Sequence, residues 1–130
     1  MRFAPTAAVL GLLALTAPSL SAGMPSGWEP GADAKRRIAA IKALDDAPGG
    51  PRLNAVIVYD PAAADKARSK GGVGLLAGRT VLVKDNIETA DFPTTAGSLA
   101  LAGNATGRDA PIVARVRAAG GVILGKTNLS

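Results

Sequence analysis

Apolar and polar positions along the chain change period several times, and each change marks an element. Ile38, Ile41 and Leu44 recur every third residue with charges between them. That spacing predicts a helix capped by Asp33 and running through about Leu44. The stretch DDAPGGPR breaks it. In LNAVIVYD, Leu53 to Asp60, the β-branched run predicts a buried strand. PAAADKARSK reads as a second helix, with Pro61 at its start and basic residues towards its end, where the helix dipole favours them. GGVGLLAG is flexible or tightly turned, and Thr80 to Lys84, TVLVK, is a short strand. The next stretch, DNIETADFPTTAGSLALAGNATGRD, has no clear period and is full of turn formers. It is long for a connection in a compact domain, and long ordered loops are often functional. Asp109 is expected to cap a third helix in APIVARVRAAG, with Ile112, Val113 and Val116 as its apolar face and Gly120-Gly121 as its end. VILG is another buried strand, and KTNLS leaves it.

Helices and strands therefore alternate, which predicts an α/β layer structure. The chain stops at Ser130, directly after a strand, and reads as cut rather than finished. Its beginning has a different character. MRFAPTAAVLGLLALTAPSLSAG carries Arg2, then an apolar run from Ala7 to Ala17, then small residues. This is the layout of a secretory signal peptide over residues 1–22, followed by a Gly/Pro-rich leader over 23–32. An N-terminal anchor is the alternative, but the apolar run is short of the roughly 20 residues that span a bilayer. Cleavage after Ser21, Ala22 or Gly23 would leave no stable membrane insertion, and the expected location is periplasmic or secreted.

Composition narrows the chemistry. The chain has 130 residues, 48% hydrophobic and 19% charged, with two Phe, one Trp and one Tyr. Abundant Ala and Gly suit helices packed closely on a sheet. The net charge of +5 is scattered, as in AKRRIAAIK and RVRAAG, so no nucleic-acid surface is predicted. Cysteine and histidine are both absent from the sequence. No disulfide, Ser-His-Asp triad, Cys-His pair or ordinary zinc set can be assembled from these residues. No metal and no cofactor is expected. A general base near neutral pH would have to be a carboxylate, a tyrosine or a lysine.

Two lysine motifs compete for attention. GGVILGKT satisfies the literal pattern of a phosphate-binding loop through Gly120, Gly125, Lys126 and Thr127. Such a loop needs a strand before its first glycine and bent residues between the glycines. Here a helix precedes Gly120 and GVIL is itself a strand, so the pattern is fortuitous. The second motif is Val81-Leu82-Val83 running straight into Lys84, Asp85 and Asn86. One reading is a strand-end lysine that reaches to water. The other is a partly desolvated amine, because burial disfavours the charged form and suits a lysine to base work. Strand ends that open into long loops are where α/β proteins place their sites. The TTAGS stretch supplies hydroxyls and a glycine for close backbone approach.

LLAGRTVLVKDNIETADFPTTAGSLAL followed by DAPIVARVRAAGGVILGKTNLS resembles the N-terminal part of the amidase signature family, from about Ile38 and most strongly from Gly78. The exported character and the TAGSLAL stretch look like bacterial peptide amidases. The resemblance implies an α/β fold with a mixed sheet covered by helices, of which 33–130 is the N-terminal portion. It also implies a serine amidase that cleaves carboxamide C–N bonds in a small-molecule or peptide substrate through a Ser-cisSer-Lys triad. Lys84 matches the lysine. Asp85 and Asn86 match the rest of the motif, either ordering the loop and the lysine or forming a turn after the strand. Ser98 lies in the matched loop near the site and is not one of the catalytic serines. Ser130 is a helix cap rather than a nucleophile. The family commonly has proline where Thr80 stands, which loosens the turn but keeps the lysine in register. Both catalytic serines and the oxyanion amides lie downstream in the family, so this chain alone is expected to be inactive. The alternatives are an amidotransferase subunit of the same family, which export argues against, and a truncated non-catalytic secreted protein.

Overall fold

The last strand of the chain lies at the centre of the sheet. The computed structural model describes residues 25–129, so the expected signal peptide and Ser130 lie outside the described residues. In chain order the elements are α1 (Pro30–Ile41), β1 (Val56–Tyr59), α2 (Ala63–Ser69), β2 (Thr80–Lys84), α3 (Pro111–Ala118) and β3 (Val122–Thr127). The sheet order is β1-β3-β2, with β1 antiparallel and β2 parallel to β3. The architecture is α/β, a mixed sheet covered by helices.

Alternation along β3 separates two cores. Val122 and Leu124 face α1 and α2, where they meet Ala34, Ile38, Ala63, Ala64 and Ala67. The small alanines let the two helices approach each other and the sheet closely. Ile123 faces the other way, onto Val83 and Val113. β3 is buried along Val122–Lys126, as its unbroken apolar run predicts. The pairing contains one irregularity with consequences. Val81 pairs with Ile123, but the next residue, Leu82, pairs with Gly125. Leu124 is thus an extra residue on β3, and an extra residue reverses the side-chain alternation beyond it. Lys126 therefore lands opposite Val83, on the same side of the sheet as Ile123 and α3.

Several local expectations are corrected. α1 starts at Pro30, three residues before Asp33, because proline is pre-shaped for the first helical turn and lacks the N–H that would go unpaired. Asp33 is not the cap; it lies in the first turn and pairs with Arg36 (3.1 Å) and Arg37 (2.7 Å). One π-helical turn, Lys42–Asp46, follows, and Leu44 on it is exposed. The Asp45 carboxylate there accepts hydrogen bonds from the Ala55 and Val56 amides, which ties the turn to β1. β1 is shorter than Leu53–Asp60 and is not buried. Ile57 is 46% exposed, because β1 is an edge strand among the described residues. Pro61 lies in the turn before α2, where Asp60 accepts the Ala62 amide (2.8 Å). Asp109 does not cap α3, whose N-cap is Ala110. Of the expected apolar face of α3, Val113 is buried but Ile112 is 61% exposed.

The glycine pair ends α3 as expected. The Gly120 amide donates to Arg117 O and the Gly121 amide to Val116 O, both at 2.9 Å, the paired bonds of a Schellman cap. Gly120 has φ +83, and a Cβ there would stand 1.8 Å from the Val73 carbonyl oxygen. Gly120→Ala is expected to destabilise the fold by at least about 2 kcal/mol. A urea melt checks this, and an unchanged midpoint contradicts the cap assignment.

Candidate functional site

Parallel pairing brings the C-terminal ends of β2 and β3 to one edge of the sheet. Lys84, the last residue of β2, pairs with Thr127 near the end of β3 and is half-buried. The Lys84 carbonyl accepts the Ile87 amide (2.9 Å), which closes a tight turn. Asn86 is exposed on that turn. Asp85 turns the other way and is 1% exposed. Its amide donates to Thr127 O (3.0 Å), and its carbonyl accepts the Ala96 amide (3.2 Å). The Oδ2 of Asp85 accepts both the Thr95 amide (3.2 Å) and the Thr95 hydroxyl.

The loop after Lys84 is irregular but well tied. Arg117 of α3 holds Asp91 (2.7 Å) and Asp109 (2.8 Å), and Asp109 in turn accepts the Ala90 amide (2.8 Å). Arg108 pairs with Glu88 (3.0 Å). Thr94 and Asn104 exchange hydrogen bonds, amide to carbonyl one way and side-chain amide to carbonyl the other, both 3.0 Å. Ser98 is half-buried at the N-cap of a single 3-10 turn, Leu99–Leu101, and its side chain makes no capping bond. The structure thus gathers Asp85 with the Thr95–Ser98 turn and leaves Asn86 facing outward.

Lys126 is the residue of this region that the sequence reading assigned no role. Its side chain is 0% exposed. The ammonium donates to Ile87 O (2.7 Å), Thr94 Oγ1 (3.1 Å) and Pro93 O (3.4 Å), and lies 3.5 Å from Asp85 Oδ1. These partners rule out a phosphate role for the GKT pattern. The sequence placed it in KTNLS, leaving the strand, whereas β3 runs on through Thr127; the one advance signal was a lysine directly after an apolar run.

The charges in this pair are perturbed. Burial pushes the Asp85 carboxyl up, but the Thr95 hydroxyl and amide, Lys126 and the Gly97 amide outweigh it, and the net direction is down. Burial pushes Lys126 down, and the nearby Asp85 offsets only part of that. Arg117 is pushed down by burial and raised overall by Asp91 and Asp109. An acid held below its unfolded value of about 3.9 stabilises the fold above that value. The contribution disappears as pH falls through the lower folded value. Stability is therefore expected to drop below about pH 4, with a shallower slope in Asp85→Asn. Acid titration of the circular dichroism signal checks this, and identical slopes would contradict it. Asp33, also lowered through its hydrogen bond to Arg37, contributes a remaining slope in both proteins.

Among the described residues, no group of three or more His, Cys, Asp or Glu could hold a metal ion, and no helix is long and apolar enough to cross a membrane. The family described as Amidase matches residues 51–130. The chain belongs to the amidase family. This amidase-family chain is 41% identical over 106 residues to a glutamyl-tRNA(Gln) amidotransferase subunit of Bordetella pertussis, covering 73% of this chain and 21% of that protein. It is 46% identical over 90 residues to a probable amidase of Arabidopsis thaliana, covering 62% of this chain and 18% of that protein. Among solved structures, it is similar to the peptide amidase of Stenotrophomonas maltophilia. The TM-score is 0.70 and the identity 43%, over 79% of this chain and 22% of that one. The corresponding glutamyl-tRNA(Gln) amidotransferase subunit of Thermotoga maritima gives a TM-score of 0.57 at 28% identity, over 74% of this chain and 19% of that one. The chain spans about a fifth of the length of the curated relatives it matches, 21% in the Bordetella case.

Proposed function

We propose that this chain contributes the lysine of a serine amidase site, with Lys84 as the base. The observation that supports it most is the position of Lys84. It ends an apolar strand at the edge where β2 and β3 finish together, in a chain of the amidase family. In this reading neutral Lys84 takes the proton of a serine nucleophile through a bridging serine. The serine oxygen bonds to the carboxamide carbon, and the C–N bond breaks. The proton passes from Lys84 to the departing ammonia or amine, which leaves an acyl-enzyme for water to hydrolyse. Both serines belong to the part of an amidase domain that this chain does not match. Asp85 and the Thr95–Ser98 turn shape the backbone around the lysine, and Asn86 takes no part in that packing. The substrate would be a small or peptide amide, met in the periplasm or outside the cell after export.

A subunit of an amidotransferase, which passes ammonia to a second substrate, is the other reading, favoured by the likeness to the Bordetella protein. The higher structural likeness to the peptide amidase supports simple hydrolysis instead. The experiment is a chimera in which residues 33–130 replace the corresponding segment of the Stenotrophomonas peptide amidase. Release of ammonia from a C-terminally amidated peptide, with no acyl acceptor present, is the expected result. The unfused chain should release none. Lys84-dependent hydrolysis by the unfused chain would contradict the division of the site.

A further inference from the structure

A lysine buried to 0% exposure in the central strand is an expensive way to fill a core, since methionine or leucine would occupy similar space without desolvating a charge. What the charge does can be read from its partners. Pro93 O, Ile87 O, Thr94 Oγ1 and Asp85 all lie in the loop that leaves Lys84, and none lies on α1 or α2. The ammonium has three hydrogens, and three oxygens of that loop receive them, with the carboxylate as countercharge. One amine thereby joins the beginning of the loop, at Asp85 and Ile87, to a point further along it, at Pro93 and Thr94.

Asp85 extends the connection. Held by Lys126 on Oδ1, it gathers Thr95 on Oδ2 and Ala96 on its carbonyl. The residues it gathers have unusual backbones. Ala96 has φ +49 and Gly97 φ +73. An alanine in the left-handed region persists only where its surroundings over-determine it.

We infer that Lys126 is a positioning residue: through Asp85 it sets the Thr94–Ser98 turn against the end of β2 and so fixes the backbone that carries Lys84. The functional consequence rests on Lys84 being the amidase lysine, but the positioning itself does not. It is accordingly measured without activity. The test uses the 130-residue chain, with amide hydrogen exchange and the NMR signals of the Lys84 side chain as readouts.

In Lys126→Met, exchange at Thr95, Ala96 and Gly97 should accelerate at least about tenfold relative to the β3 amides of Val122–Gly125, and the Lys84 signals should move. Thr95→Val removes the hydroxyl that donates to Asp85 and accepts the Gly97 amide (3.2 Å). It should accelerate Ala96, whose amide bonds to the Asp85 carbonyl, and move the same Lys84 signals; faster exchange at Gly97 follows from the lost hydroxyl itself and decides nothing. Arg108→Ala, which breaks the outer pair with Glu88, should do neither. The loss of global stability in Lys126→Met quickens the strands as well, so acceleration at the turn no greater than that of the β3 amides, or a turn that exchanges as before, would overturn the inference. If Lys126→Met unfolds the chain, Thr95→Val decides, and unmoved Lys84 signals there overturn it. A chimera whose activity survives Lys84→Ala would instead defeat the amidase reading and leave these measurements standing.

Discussion

Lys126→Met is expected to destabilise the fold by about 3–5 kcal/mol, the usual cost of stripping one partner from a buried ion pair. Methionine preserves most of the volume, so the loss is electrostatic rather than a cavity. Asp85 would keep its charge 1% exposed with its countercharge gone, and Ile87 O and Pro93 O would lose a donor. The double variant Asp85→Asn/Lys126→Met should recover a large part of the loss, because it removes the stranded charge while an amide oxygen can still accept from Thr95. Urea midpoints of the four proteins close the cycle. A Lys126→Met shift below about 0.5 kcal/mol, the size of an ordinary surface substitution, would mean that the pair is not buried as described.

Lys84→Ala has the larger expected effect, on rate rather than stability. In the chimera with the peptide amidase, kcat should fall by at least about ten-thousand-fold, as it does when one member of a catalytic unit is removed. The loss should appear in kcat with KM little changed, since in the proposed site the lysine would move protons and not hold the amide group. Lys84 is half-buried at a strand end and lies outside both apolar clusters. Its removal should therefore leave the melting behaviour near that of the parent. That contrast separates the two lysines: one change abolishes rate in a folded protein, the other weakens the fold.

The order of elements was legible because periodicity reports burial directly. The unbroken run in VILG became the buried centre of the sheet, and the Gly120-Gly121 pair could only end a helix. The caps were not legible. Asp33 lies inside the helix that Pro30 opens and pairs with Arg37 one turn on, and Asp109 is held by Arg117 of α3 instead of capping it. The exposure of Ile57 was hidden as well. A β-branched run has the same composition at a sheet edge as in its middle. At the site, Lys84 and Asp85 stood out through their motif. Lys126 stood out only through a fortuitous phosphate-loop pattern and was placed in KTNLS, leaving the strand, whereas β3 runs on through Thr127 and strict alternation would have put Lys126 on the side of Leu124. The extra residue in the pairing put it beside Val83 instead, and no residue type announces such a bulge.

The measurement that bears most directly on this account is kcat for hydrolysis of a C-terminal peptide amide by the chimera, with and without Lys84→Ala, at equal folded fraction. The account predicts an active parent and a ratio of about ten thousand or more. A ratio within about tenfold, a barrier change of only about 1.4 kcal/mol, would contradict it and return Lys84 to the role of a strand-end lysine facing water.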